Sequence, residues 1–170
     1  MTGEIVHFHP WEEVQGGAER AFALHRTVIL SLVPAVDVQH VGGTSTPGVR
    51  TKGDLDIQVR VPPERFAEAD RALATRYTRH PLNERTPAFS SFEDLSGIVP
   101  VGVQLSAIGG PTDFFVQARE ALRLSSEAAA RYDRLKASFE GRSMDEYRKA
   151  KELFFNELLQ LTPSVAEKSS

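Results

Sequence analysis

The sequence contains no cysteine. That absence excludes a disulfide scaffold, a thiolate zinc site and a catalytic thiol, and it directs any bound metal to oxygen or imidazole ligands. Long apolar runs are missing too: nothing approaches the roughly 20 consecutive apolar residues that a bilayer crossing requires, so no membrane partner is expected. Met1-Thr-Gly-Glu-Ile5 has no basic stretch leading into an apolar one, and no signal peptide is expected. Nor is either charge in large excess, since 20 Lys and Arg stand against 23 Asp and Glu for a net −3. Nucleic-acid binders usually carry surplus cations along one face, so nucleic acid is the least favoured partner. A small anionic ligand suits this balance, because backbone amides and one or two cations suffice to hold a phosphate. These absences together lead us to expect a cytoplasmic, soluble, globular protein.

What is present suffices for a core. The 170 residues are 41% apolar and 25% charged, and a chain of this length buries about 70% of its unfolded surface. We expect one domain over residues 1–161 and a flexible tail over 162–170. From Trp11 to Val33, Ala18, Ala21, Phe22, Val28, Ile29 and Leu32 share a helical face, and Pro34 ends the segment. Val36 to Val41 alternates as a half-buried strand, then residues 42–48, Gly-Gly-Thr-Ser-Thr-Pro-Gly, read as a loop. Alternation resumes at Asp54 to Val61, with Leu55, Ile57, Val59 and Val61 on one face and Asp54, Asp56, Gln58 and Arg60 on the other.

Pro62-Pro63 ends that strand and opens a helix through about Arg76. Turn formers between residues 77 and 96 predict a hairpin. Val99 to Leu105 reads as a further strand, and Pro100 and Gly102 in it predict an edge or a bulge. Thr112–Leu124, Ser126–Phe139 and Met144–Leu161 each carry a stripe of period 3.6, and Ser143-Met-Asp-Glu146 matches a capping box. The fold class predicted is α+β, a mixed sheet packed by helices with a helical C-terminal third.

The residues with the most chemistry lie at the first strand–loop–strand step, His40-Val-Gly-Gly-Thr-Ser45 followed by Asp54-Leu-Asp56. Alternation puts both carboxylates on one strand face, with Cα atoms about 6.5–7 Å apart. Two oxygen donors at that separation suit Mg²⁺ or Mn²⁺ better than zinc. Gly42 and Gly43 allow backbone amides to approach a phosphate, and the hydroxyls of Thr44 and Ser45 can add hydrogen bonds. Each residue also has a plainer reading. The aspartates suit a solvated strand face, the glycines a tight turn, and His40 a hydrogen-bonded strand histidine. Lys52 reads equally as a surface lysine. Tyr132 with Lys136 and Tyr147 with Lys151 stand four apart, so each lysine stem can lie over a ring on the same helical face. His7 and His9 share a strand parity but have no third metal partner nearby in sequence.

Gly42-Gly43, ten residues and then Asp54-Leu-Asp56 is similar to the signature of the nucleotidyltransferase superfamily. More narrowly, the run from His40 through Gly42-Gly-Thr-Ser-Thr-Pro-Gly48 and Lys52 to Ile57 resembles the GrpB family. Pro10-Trp11, Asp113-Phe-Phe with Arg119, and the two Tyr-x-x-x-Lys segments ending at Lys136 and Lys151 extend the resemblance over nearly the whole chain. The family often has Ser where this chain has Gly43, and a single Asp aligned with Asp56, where this chain supplies Asp54 as well. Full nucleotidyltransferases usually place a third carboxylate on a later strand. Here that strand offers Gln104, which cannot act as a base, with Glu93 and Asp94 as candidate substitutes.

The resemblance implies a nucleotidyltransferase-like fold and Mg²⁺- or Mn²⁺-dependent transfer of a nucleoside monophosphate from a nucleoside triphosphate such as ATP to an acceptor hydroxyl. Asp54 and Asp56 would hold the metal. Gly42, Gly43, Thr44, Ser45, Lys52, Lys136 and Lys151 would hold the nucleotide, with His40 and Gln104 beside them. Two alternatives stay open: a nucleotide-binding module without turnover, favoured by Gln104, and an accessory role in coenzyme A metabolism, because GrpB-like segments occur attached to dephospho-coenzyme A kinases. No Gly-x-x-x-x-Gly-Lys-Ser/Thr loop is present, so the chain is not expected to be a kinase itself.

Overall fold

Pro10 precedes the first helix, α1 (Trp11–Leu32), whose first turn carries Glu12 and Glu13 on the side where the helix dipole favours negative charge. The computed structural model describes residues 3–161, so the expected tail at 162–170 lies outside the described residues. Past Pro34 the chain enters β1 (Asp37–Val41), then a 3₁₀ turn at Gly43–Ser45, then β2 (Leu55–Val61). A 3₁₀ turn at Pro63–Arg65 leads into α2 (Phe66–Ala74). The hairpin expected between 77 and 96 pairs a two-residue β3 (Thr78–Arg79) with β4 (Phe89–Asp94). After β5 (Val101–Ala107) come α3 (Phe115–Arg123), α4 (Ser126–Phe139) and α5 (Met144–Leu161). The capping box at the head of α5 contributes a Glu146 amide donating to Ser143 Oγ at 3.4 Å.

The five strands form one mixed sheet in the order β1-β2-β5-β4-β3, with β2 and β5 parallel and the other pairs antiparallel. β5 is therefore the central strand, which corrects the expectation of an edge. Pro100 lies just before the ladder, where its missing N–H costs nothing and its carbonyl accepts from the Leu55 amide at 2.9 Å. Gly102 marks no bulge either, since the β2–β5 register runs unbroken from Leu55↔Val101 to Val61↔Ala107.

Alternation along β2 separates core from site. Leu55, Ile57, Val59 and Val61 are fully buried with Val103, Leu105 and Phe92 against Ile29 of α1 and Phe66, Ala69 and Leu73 of α2. Each such aliphatic contributes about 1.5–3 kcal/mol on burial. The opposite face carries Asp56, Gln58 and Arg60 toward the C-terminal helices. There Asp113 accepts from Gln58 Nε2 at 3.1 Å and from Arg60 Nε and Nη2 at 2.7 and 2.8 Å. Helices α4 and α5 close over this side through Tyr132, Phe154 and Phe155.

Candidate functional site

At the end of β1, Gly42 has φ +77°, a conformation that other residues adopt only under strain. A Cβ there would fall 2.8 Å from Asp56 Cβ and 3.0 Å from its Cγ. On the other side of β2, a Cβ on Gly102 would fall 3.0 Å from Asp56 Oδ1. Asp56 thus occupies a slot cut by two missing side chains, one just past the end of β1 and one on β5.

The loop is held from within. Ser45 Oγ donates to the Gly42 carbonyl at 2.6 Å. Thr44 Oγ1 donates its single proton to the Asp54 carbonyl at 3.1 Å, so His40 Nε2–H must be the donor in the 2.8 Å contact with Thr44 Oγ1. Burial, reinforced by Arg123 and Arg119, lowers the His40 pKa to about 4, which keeps the ring neutral in this role. Trp11 Nε1 donates to the Thr44 carbonyl at 3.0 Å, and Arg123 donates through Nε and Nη2 to the Ser45 carbonyl at 3.0 and 2.7 Å. Thr44 and Ser45 are both buried. Their hydroxyls shape the loop from behind and do not line its open face.

In front of the loop is a cavity of about 460 Å³ bordered by Gly43, Asp54 and Asp56, with Lys52, Lys136, Arg148 and Lys151 as its cations. Lys52 Nζ lies 3.9 Å from Asp54 Oδ2. Lys136 is 2% exposed, donates to the Arg50 carbonyl at 2.8 Å and sits 4.4 Å from the centre of the Tyr132 ring. Burial, aided by the positive charges of Lys151 and Lys52, brings the Lys136 pKa down to about 7. Asp133, one turn earlier on α4, clamps Arg50 through its amide, Nε and Nη2, so α4 fixes both the loop's exit and the amine. The Tyr132 and Tyr147 hydroxyls meet at 3.4 Å, and burial raises both pKa values.

The Asp56 carboxylate makes no hydrogen bond or ion pair among the described residues. Burial pushes its pKa up, with Asp54 adding to the shift and Lys151 the strongest charge opposing it. A half-buried carboxylate without a counter-ion, beside a second carboxylate on the same cavity, is a donor set suited to a hard divalent cation. Asp54 and Asp56 are the residues that could hold one. Among the described residues no cluster of three His, Asp or Glu forms a metal site. Glu93 faces His80 at 3.8 Å and Asp94 pairs with Arg76 at 3.0 Å, and neither borders the cavity. His9 pairs with Thr51 through its backbone while His7 contacts Glu140, so they do not combine.

A second cavity of about 630 Å³ meets the first at Asp56, Tyr132, Arg148 and Lys151 and continues past Gly42 and Gln104. Among the described residues, Gln104 Oε1 is buried there without a hydrogen-bond partner. The structure therefore gathers Gly43, Lys52, Asp54, Asp56, Lys136 and Lys151 around one cavity and joins Gly42 and Gln104 to its neighbour. His40, Thr44 and Ser45 stay behind. Sequence reasoning passed over Arg148, although its place three residues before Lys151 puts both on one helical face. Nothing local in the sequence signals Arg123, whose partner is a loop carbonyl 78 residues away.

These features define an α+β protein with a glycine loop and a two-carboxylate cleft on the face of a mixed sheet. The family model described as GrpB protein matches residues 12–161, and the chain belongs to the GrpB family. A UPF0157 protein from Vibrio cholerae is 33% identical over 160 residues, covering 94% of this chain and 85% of its own. The crystal structure of GrpB from Enterococcus faecalis has the same fold, with a TM-score of 0.63 and 18% identity over 84% of this chain and 93% of that one. The Cid1 poly(U) polymerase with MgGTP bound overlaps at a TM-score of 0.48 and 8% identity, over 72% of this chain and 41% of its own. An overlap that low supports no statement about this chain. Among the described residues no helix is long and apolar enough to cross a membrane.

Proposed function

We propose that the chain binds a nucleoside triphosphate such as ATP with Mg²⁺ or Mn²⁺ in the cationic cavity and transfers its nucleoside monophosphate to an acceptor hydroxyl. The observation that carries this reading is Asp56, an unpaired carboxylate in a slot between two glycines, next to Asp54 and facing a cavity lined by cations. Two protein carboxylates are enough for Mg²⁺, which takes its remaining ligands from water and substrate phosphates. When bound, the metal would neutralise phosphate charge and help orient the α-phosphate.

The chain's own residues supply the remaining charge and position. Lys52, Lys136, Arg148 and Lys151 offset the β- and γ-phosphates. Gly43 leaves the loop backbone bare on the cavity side, where a Cβ would fall 2.9 Å from Thr51 Oγ1 and 3.1 Å from Lys136 Nζ. Catalysis in such transfers is mostly positioning and charge neutralisation, which this set of groups is suited to provide.

The test is a thermal-shift series with nucleotides, with and without Mg²⁺, on the wild type and Asp56→Asn, followed by an assay of pyrophosphate release. The expected result is a metal-dependent stabilisation, about 2.7 kcal/mol at a ligand concentration 100 times Kd, that Asp56→Asn abolishes. A metal-dependent shift that survives in Asp56→Asn, or no shift with any nucleotide, overturns the proposal. Gln104 in place of a third acid favours a second reading, a nucleotide-binding module without turnover. That reading predicts the shift and no pyrophosphate with any acceptor.

A further inference from the structure

We infer that the second cavity is the acceptor compartment, and that the acceptor is a small hydroxyl compound with an apolar body. This inference rests on the nucleotidyl transfer proposed above. Its first support is direction. Displacement at phosphorus needs the entering and leaving oxygens roughly in line. With the pyrophosphate over Lys52 and Lys136 and the α-phosphorus at Asp56, the entering oxygen must come from the far side of Asp56. The second cavity opens there, beyond Gly42 and Gln104. The acceptor oxygen bonds to the α-phosphorus as the bond to the bridging oxygen breaks. Pyrophosphate leaves with that electron pair, and the hydroxyl proton passes to water at the open mouth of the cleft.

The second support is the chemistry of the walls. Beyond Gln104 the lining is Phe114, Phe115, Ala118, Leu122 and Phe155. Phe114 is 37% exposed, and its ring stacks on Phe115 with centroids 4.6 Å apart, while Phe115 stacks in turn near Phe89 at 6.5 Å. This is a braced aromatic row with an open face, so a flat apolar body laid on it removes surface from water at about 25 cal/mol per Å². The volume of about 630 Å³ falls within the range of small-molecule pockets, about 300–1,000 Å³.

The charges on the border leave the acceptor's own charge open, because Arg119 is paired with Glu120 at 2.9 Å, Arg148 lies 3.5 Å from Asp145, and Asp56 and Glu152 stand beside Lys151. Gln104 Oε1, buried near the Asp56 end without a partner among the described residues, would accept a hydrogen bond from the acceptor's hydroxyl or a neighbouring N–H.

The test uses the full chain and saturation-transfer NMR with two probes, 4-(hydroxymethyl)benzoate and 2-naphthalenemethanol. Spectra are taken with and without Mg²⁺ and a non-hydrolysable ATP analogue, whose own binding is read by thermal shift. The expected result is transfer to both probes, undiminished when the analogue is bound. Ala118→Phe, which fills the compartment, and Phe114→Ser, which removes an exposed ring, should each weaken probe binding about tenfold while circular dichroism stays unchanged. Displacement of the probes by the bound analogue would make the compartment a base pocket and overturn the inference. So would unaltered binding in both variants. Failure of the analogue to bind refutes the nucleotide reading itself and the acceptor role with it, and the thermal shift separates that outcome from the others.

Discussion

Replacing Lys136 with Met tests the electrostatics of the cleft directly, because the two side chains are similar in length and only one carries a proton. The folded amine releases its proton near pH 7, whereas in the unfolded chain it holds the proton to about 10.5. Between those values the unfolded state binds more protons, so rising pH stabilises the wild type through this group. Below pH 7 the cost of the buried charge is fully present. At pH 7 that cost is on the order of 4 kcal/mol, taken from the gap between 10.5 and about 7 at 1.36 kcal/mol per unit. The variant escapes it but leaves the Arg50 carbonyl without its donor, which costs about 1–3 kcal/mol. Lys136→Met should therefore be more stable than the wild type at pH 7, by about 1–3 kcal/mol, and should become the less stable of the two as pH approaches 10, where the charge cost has faded and the lost donor to the Arg50 carbonyl remains. Urea denaturation of both proteins from pH 6 to 10 measures this. A less stable variant at pH 7, or two parallel stability curves across that range, would refute the desolvation argument. Nucleotide affinity should fall in the same variant, so stability and binding move in opposite directions.

Gly42→Ala places a Cβ against Asp56 and forces a non-glycine residue to φ +77°; it should cost about 1–3 kcal/mol in urea unfolding. Thr44→Val removes both the donor to the Asp54 carbonyl and the acceptor for His40. It should cost about 1–3 kcal/mol and lower the metal-dependent nucleotide shift by loosening the chain before Asp54. At Asp70, 2% exposed, burial pushes the pKa up, but hydrogen bonds from Arg79 and Arg85 outweigh it and hold the group at about 2. Its contribution of about 2 kcal/mol is present above pH 4 and is lost as pH falls through 2. Asp70→Asn should flatten that part of the acid-unfolding curve.

Those elements whose periodicity records a single buried face were legible in the sequence. The β2 alternation from Leu55 to Val61 predicted both the core and the side on which Asp56 lies, and α4 and α5 fall at the predicted residues. β5 was misplaced because Pro100 and Gly102 carry two meanings. A proline just outside a ladder and a glycine making room for a neighbour's carboxylate look locally like an edge. At the site, the sequence predicted which residue types converge but not which way their hydroxyls turn. Thr44 and Ser45 have short polar side chains that bond equally well to a ligand or to a nearby carbonyl, and only the packed loop decides between these. The same holds for the aromatic pairs. Tyr132 does lie under Lys136 as their spacing of four suggests, yet its contact with Tyr147 depends on how α4 and α5 cross.

The slot around Asp56 has a consequence for folding fidelity. Gly42 directly follows β1 and Gly102 belongs to β5, so three adjacent strands converge on one carboxylate. If β5 slipped by two residues, Pro100 or Gln104 would stand where Gly102 makes room. If β1 slipped by two residues, His40 or Thr44 would be brought toward the same oxygens. Sheets generally fix their register through the apolar face and the connecting turns. Here the polar face fixes it as well, so a misregistered sheet cannot house the carboxylate, and the feature that gives the cleft its chemistry also selects the native strand alignment.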